Sequence, residues 1–136
     1  MIKNSVYTYP AVFTKENDGG YSITFPDVDG CYTSGDDITD GLLMAKDVLA
    51  LMIYNNYEDK DIPVPEPSPI NKIKHGKDSF VTYIVCDTTE YRRRFSKRSV
   101  KKTLTIPEWL NEAALEEKLN FSQILQDALK ERLHVS

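Results

Sequence analysis

The chain has 136 residues, of which 40% are hydrophobic and 28% charged, with a formal net charge of −4. That length suits one domain or two small ones, and no run of about 18 apolar residues is present, which excludes a helical membrane span. The first residues, MIKNSVYTYPAVF, lack a secretory apolar core and a small-residue cleavage pattern, so a cytoplasmic location is expected.

The net charge hides a division. Residues 1–67 carry four lysines, no arginine and twelve acids, a net of −8; residues 68–136 carry thirteen basic residues and nine acids, a net of +4. The basic excess peaks between Glu90 and Lys102, with seven basic side chains against one acid. An acidic front attracts a basic protein and repels nucleic acid, whereas a basic hinge attracts phosphates.

Val6–Phe13 (VYTYPAVF) reads as a strand, and Pro10 inside it calls for an edge or a bulge. Asn17-Asp18-Gly19-Gly20 is a turn in which the glycines can supply positive φ. Tyr21–Phe25 alternates as a second strand, Pro26–Gly30 turns, and Cys31–Gly35 is a short third strand, so a meander is predicted. The period then becomes helical over Ile38, Leu42, Ala45, Val48, Leu49, Met52 and Ile53, with Asp37 as N-cap and Asp40 three residues on. Asp36, Asp37 and Asp40 at the helix start read as capping rather than as a metal site.

Pro63, Pro65, Pro67 and Pro69 make residues 59–69 a stiff extended loop. Phe80–Cys86 is a second strong strand that returns to the meander, because the front domain has one helix and needs more sheet to cover it. Cys31 and Cys86 have no metal spacing and read as reduced core thiols, and His75 and His134 have no neighbours with which to bind zinc. Asp87 can cap a short helix through Phe95, followed by a polar linker, SKRSVKK.

From Lys101 the pattern alternates. Leu104 and Ile106 face one way; Lys101, Thr103 and Thr105 face the other. A lone strand cannot satisfy its own backbone, and a unit of about 35 residues is too small to hold a core alone, so a second copy is expected to complete a two-stranded ribbon. Lys101, Thr103 and Thr105 would then point into a DNA major groove, with Arg98 and Lys102 on phosphates. Pro107 starts a first helix bearing Trp109, Leu110, Ala113 and Ala114. Ser122 is the expected N-cap of a second helix, whose bare N–H groups offer a phosphate seat. Leu104, Ile106, Leu110, Ile124, Leu125 and Leu129 form the expected dimer core.

The segments YPAVFTKENDGGYSITFPDVDGCYTSGDDITDGLLMAKDVLALMI, YIVCDTTEY and KKTLTIPEWLNEAALEEKLNFSQILQDALKERL together resemble the HicB family of bacterial type II antitoxins. The resemblance spans most of residues 6–133 and leaves the proline-rich loop loose. Gly41 departs from the alanine that family members usually carry at the start of this helix. An α+β fold is implied: a β-β-β-α-β partial ribonuclease-H-like, toxin-binding domain over residues 1–95, then a ribbon–helix–helix dimerisation and DNA-binding domain over 96–136.

The resemblance also implies an antitoxin that masks a small basic mRNA-cleaving HicA-like toxin and represses its own operon at operator DNA. Tyr7, Tyr9, Phe13, Asp27, Asp29, Asp36 and Asp37 are the candidate toxin contacts. The alternative is a non-catalytic protein-binding module that uses the ribbon only to form a homodimer. Pairing of dimers into tetramers, or into larger hetero-oligomers with toxin, stays open. No enzymatic activity, cofactor or metal is expected: the carboxylates sit in turns or at a helix start, and no nucleophile–base pair or phosphate loop stands out.

Overall fold

A computed structural model describes residues 4–96 and 98–136, so Lys97 of the basic run lies outside the described residues. The chain divides into two units, Met1–Arg98 and Ser99–Ser136.

The first unit follows the order β-β-β-α-β. Its strands are β1 (Val6–Lys15), β2 (Tyr21–Thr24), β3 (Tyr32–Gly35) and β4 (Ser79–Asp87), arranged as one antiparallel sheet in the order β3-β2-β1-β4. The expected meander and the return of the last strand to it are both present, and the structure places that strand beside the first. Helix α1 (Ile38–Ile53) and a short helix α2 (Thr89–Phe95) complete it, with a π-helical turn over Tyr54–Glu58 and a single 3-10 turn over Ile70–Lys72.

Pro10 lies in β1, which is an inner strand, so its expected placement at an edge or bulge is corrected. Sheet alternation supplies the reason. The bonds from Lys15 N to Asp78 O and from Thr88 N to Ser5 O show that odd-numbered residues of β1 bond towards β4. Pro10 therefore faces the β2 side, and the β2 ladder stops at the Val12–Thr24 pair. The missing N–H costs no ladder bond there.

Alternation along β1 buries Tyr9, Ala11 and Phe13 against α1, together with Ile23, Ile84 and Cys86 from the neighbouring strands. From α1 come Ala45, Leu49 and Ile53. Ile38 and Leu42, which the periodicity placed in the same stripe, are exposed; Gly41 takes the buried position instead. Gly41 is buried because α1 crosses close over the sheet. A Cβ on it would lie 3.2 Å from the Phe13 ring and 3.3 Å from Ile23 Cδ1, and a Cβ on Gly35 would lie 2.4 Å from Gly41 Cα. Two glycines thus let helix and β3 touch backbone to backbone.

The second unit holds α3 (Glu108–Glu116) and α4 (Phe121–Leu133) and no strand. The ribbon–helix–helix expectation is therefore corrected: residues 101–107 pair with nothing, and this region is helical where it is regular. An alternating run of seven residues describes a two-faced surface, but ladder pairing is what makes a strand. The N-cap of α4 is also corrected from Ser122 to Asn120, whose Oδ1 accepts from Gln123 N at 3.0 Å. Asn and Ser cap about equally well, and Phe121 between them fits the first helical position.

Candidate functional site

Three places in the molecule gather chemistry. The first is the start of α1. Asp37 Oδ1 accepts from Asp40 N at 2.8 Å, and Asp40 Oδ2 accepts from Asp36 N at 2.8 Å. Asp37 is thus the N-cap, as its position suggested. These acids are followed on the helix by exposed Ile38, Leu42, Leu43 and Met44. Carboxylates beside exposed aliphatic side chains make a surface with both steering charge and anchoring area.

The second place is a polar cluster beneath α2. Glu58 closes the π-helical turn and is only 5% exposed. Its carboxylate accepts from Arg92 Nε at 2.8 Å, from Tyr7 Oη at 2.7 Å and from Thr88 Oγ1 at 2.8 Å, and it pairs with Arg92 Nη2. Burial raises the Glu58 carboxyl, but the bonds from Arg92, Tyr7 and Thr88 outweigh it and hold the group below its ordinary value. Burial first, then the bond to this carboxylate, pushes the Tyr7 phenol up to about 12. Close by, Arg98 donates to Asp61 Oδ1 at 2.8 Å and to Asp59 O at 2.6 Å. Arg98, in the stretch expected to be a linker, is therefore fastened to the first unit. Nothing in the polar sequence around Glu58 signals its burial, because its main partner lies 34 residues away.

The third place is in the second unit. Here no residue of α3 or α4 is buried. Leu104 is 60% exposed, and Ile106, Leu110, Ile124 and Leu129 are exposed as well, with Leu125 half-buried. Lys102, Leu104, Ile106, Phe121, Ile124 and Leu125 line an apolar groove of about 510 Å³. Lys101, Thr103, Thr105 and Ser122 are exposed.

The expected toxin contacts separate on inspection. Tyr9 and Phe13 are core residues, and the Tyr9 hydroxyl donates to Pro65 O at 2.5 Å. Their side chains offer no surface to a partner; the aromatic pattern that singled them out belongs to the core. Asp27 accepts from Ser68 N at 2.8 Å and Ser68 Oγ at 2.6 Å, which straps the proline-rich loop to the β2–β3 turn. Asp29, Asp36 and Asp37 are exposed. Removal of the Asp27 carboxylate is expected to cost about 1.5–3 kcal/mol, the scale of bonds to a charged group. A thermal melt of Asp27→Ala set against Asp29→Ala checks this, with a clear drop expected only in the first.

Among the described residues no group of three or more His, Cys, Asp or Glu could hold a metal ion, and no helix is long and apolar enough to cross a membrane. Cys31 and Cys86 are buried free thiols; burial pushes them up to about 12 and about 11.

The family model described as a HicB-like antitoxin of bacterial toxin–antitoxin systems matches residues 9–128. An uncharacterised 14.9 kDa protein from the rep–hol intergenic region of Haemophilus phage HP1 is 33% identical over 95 residues, covering 68% of this chain and 70% of that one. Antitoxin HicB of Escherichia coli K12 is 33% identical over 67 residues, covering 49% of this chain and 48% of its own length. Among solved structures, a toxin–antitoxin complex from Streptococcus pneumoniae contains a chain that is 30% identical with a TM-score of 0.58, over 93% of this chain and 99% of that one.

Proposed function

The chain belongs to the HicB-like antitoxins of bacterial toxin–antitoxin systems, and from that premise we propose that it binds and masks a HicA-like toxin and represses its own operon at operator DNA. As a member of that family it is regulatory and non-catalytic.

The observation that carries the toxin half is the surface at the start of α1. A small basic partner is steered by Asp36 and Asp37 and anchored by Ile38, Leu42 and Leu43, whereas Asp29 lies at the other end of α1, near Met52 and Asn56. This replaces Tyr9 and Phe13 as the apolar part of the contact. Replacing Asp36 with lysine is expected to slow association with a HicA-like toxin about threefold at low salt. Replacing Leu43 with alanine is expected to speed dissociation instead. Stopped-flow binding separates the two, and unchanged rates in both variants remove this surface from the account.

The operator half rests on the second unit. Its uncovered apolar groove favours a homodimer through Leu104, Ile106, Leu110, Ile124, Leu125 and Leu129. Lys101, Lys102, Thr103, Thr105 and Ser122, all exposed, are the proposed DNA contacts. Replacing Lys101, Thr103 and Thr105 together with alanine is expected to lower operator affinity about tenfold or more while the dimer persists. Fluorescence anisotropy against DNA from upstream of the gene reads this directly.

One observation favours a second reading, in which this unit only dimerises. Arg92, Arg94 and Arg98 are engaged by Glu58, Glu90 and Asp61 within the first unit, which leaves fewer cations for phosphates. Equal binding to operator and scrambled DNA selects that reading.

A further inference from the structure

We infer that the exposed lysines of residues 72–77 form a sequence-blind seat for the phosphate backbone of duplex DNA, in a unit that is otherwise acidic. The segment after the prolines reads Lys72-Ile73-Lys74-His75-Gly76-Lys77, three lysines and a histidine in six residues, with no acid between Glu66 and Asp78. Among the described residues none of these lysines is in an ion pair. The hinge is the opposite case: Arg92, Arg94 and Arg98 are each engaged by a carboxylate. Three arginines of the basic run are thus neutralised within the fold, while this loop gathers cations that nothing neutralises.

The loop holds these charges in place. At its start Ser68 donates to Asp27 through both its N–H and its hydroxyl, at 2.8 and 2.6 Å. The single 3-10 turn follows, with Lys72 N on Pro69 O at 3.0 Å and Ile73 N on Ile70 O at 3.3 Å. At its end Ser79 N bonds to Gly76 O at 3.2 Å, and the Ser79 and Thr14 hydroxyls are 2.8 Å apart. Ile70 and Ile73 are half-buried, whereas Asn71, Lys72, Lys74, His75 and Lys77 are exposed. Ile73 is extended, with φ −79° and ψ 123°. Lys72 and Lys74 on either side of it are therefore about 6.6 Å apart along the chain. Little chain freedom remains to be lost when a ligand binds.

The chemistry selects the partner. Lysine is a flexible point charge suited to phosphate, and protein interfaces are poor in it. Between Ile62 and Phe80 no large hydrophobic side chain is exposed, so the loop lacks the apolar anchor that a protein contact needs. A small basic partner is repelled by it. Duplex DNA carries one negative charge per about 1.7 Å of helix axis, so cations held this close together meet several phosphates at once. Such contacts read no sequence; they add affinity that salt removes. The inference rests on the reading that the chain meets DNA, and on no particular operator sequence.

The full chain carrying Lys72→Gln with Lys74→Gln tests it. Lys46→Gln with Lys60→Gln is the control, because it removes the same charge from exposed lysines elsewhere in the first unit. Fluorescence anisotropy is measured at several salt concentrations with three duplexes of equal length: DNA from upstream of the gene, scrambled DNA, and RNA. The loop variant is expected to flatten the slope of log affinity against log salt by about two on both DNA duplexes, at about 0.9 per phosphate. The affinity ratio between the two DNAs is expected to stay as in the parent, and the control variant to keep the parent slope. An unchanged slope in a loop variant whose melt matches the parent overturns the inference, as does equal flattening by the control. Loop dependence with RNA alone overturns the assignment to DNA. Equal parent affinity for upstream and scrambled DNA, with the loop effect intact, removes the operator reading and upholds this one. No binding to either DNA removes both.

Discussion

Gly35→Ala is expected to destabilise the first unit by about 3 kcal/mol or more, at the top of the range for overpacking. The new methyl would stand 2.4 Å from Gly41 Cα and N, and 3.0 Å from Asp40 C, all backbone atoms of α1. A side chain can rotate away from an intruding methyl; a helix must move as a body, and α1 carries Ala45, Leu49 and Ile53 into the core. For a unit of this size the melting temperature should fall by more than about 12 °C. Gly41→Ala is the matched comparison. Its methyl meets only side-chain atoms of Phe13 and Ile23, at 3.2 and 3.3 Å, and alanine favours the helix by about 1 kcal/mol. Its net effect should therefore be within about 1 kcal/mol, and differential scanning calorimetry of the pair checks both.

The second large effect is expected at Arg92. Its side chain is 23% exposed while that of Glu58 is 3% exposed, so removing the arginine leaves a buried carboxylate short of its cation. Arg92→Ala should cost about 3 kcal/mol, the scale for breaking such a pair from one side. Glu58→Gln should cost less, because an unpaired Arg92 can reach water and Tyr7 and Thr88 keep an acceptor. The pH dependence follows from linkage. Glu58 titrates lower in the folded chain than in the unfolded one, so the folded state binds fewer protons. Its stabilisation is present above the ordinary glutamate range and is lost as pH falls through the lowered folded value. In Arg92→Ala the main lowering cause is gone, so the Glu58-linked loss of stability on acidification should shrink: the variant is less stable at pH 7 but its stability should fall less steeply towards pH 3 than that of the parent. Urea midpoints measured from pH 7 down to pH 3 read both effects.

Much of the first unit was legible from local pattern. Turn residues at Asn17–Gly20 and Pro26–Gly30, alternation at Tyr21–Phe25 and the helical period after Asp37 each point to the element that forms. That a further strand joins the meander followed from the need to cover one helix; its place beside β1 did not. What pattern could not show were contacts between residues distant in sequence. Gly41 looked like a weakness in a helix and is instead the point where helix meets sheet. Glu58 lies in a polar stretch with no pattern to single it out and is the centre of a buried network. Tyr9 and Phe13 looked like partner contacts, because aromatic residues mark both cores and interfaces and periodicity does not separate the two. In the second unit, Thr103–Ile106 alternates as a strand does, yet alternation carries no information about whether a pairing strand exists.

The measurement that tests the account most directly is cleavage of mRNA by a purified HicA-like toxin, titrated with the full chain. The account predicts that cleavage stops at stoichiometric chain, and that Asp36→Lys shifts the inhibition curve to higher concentration as salt is lowered. Undiminished cleavage at excess chain, with the chain folded by its melt, would contradict it.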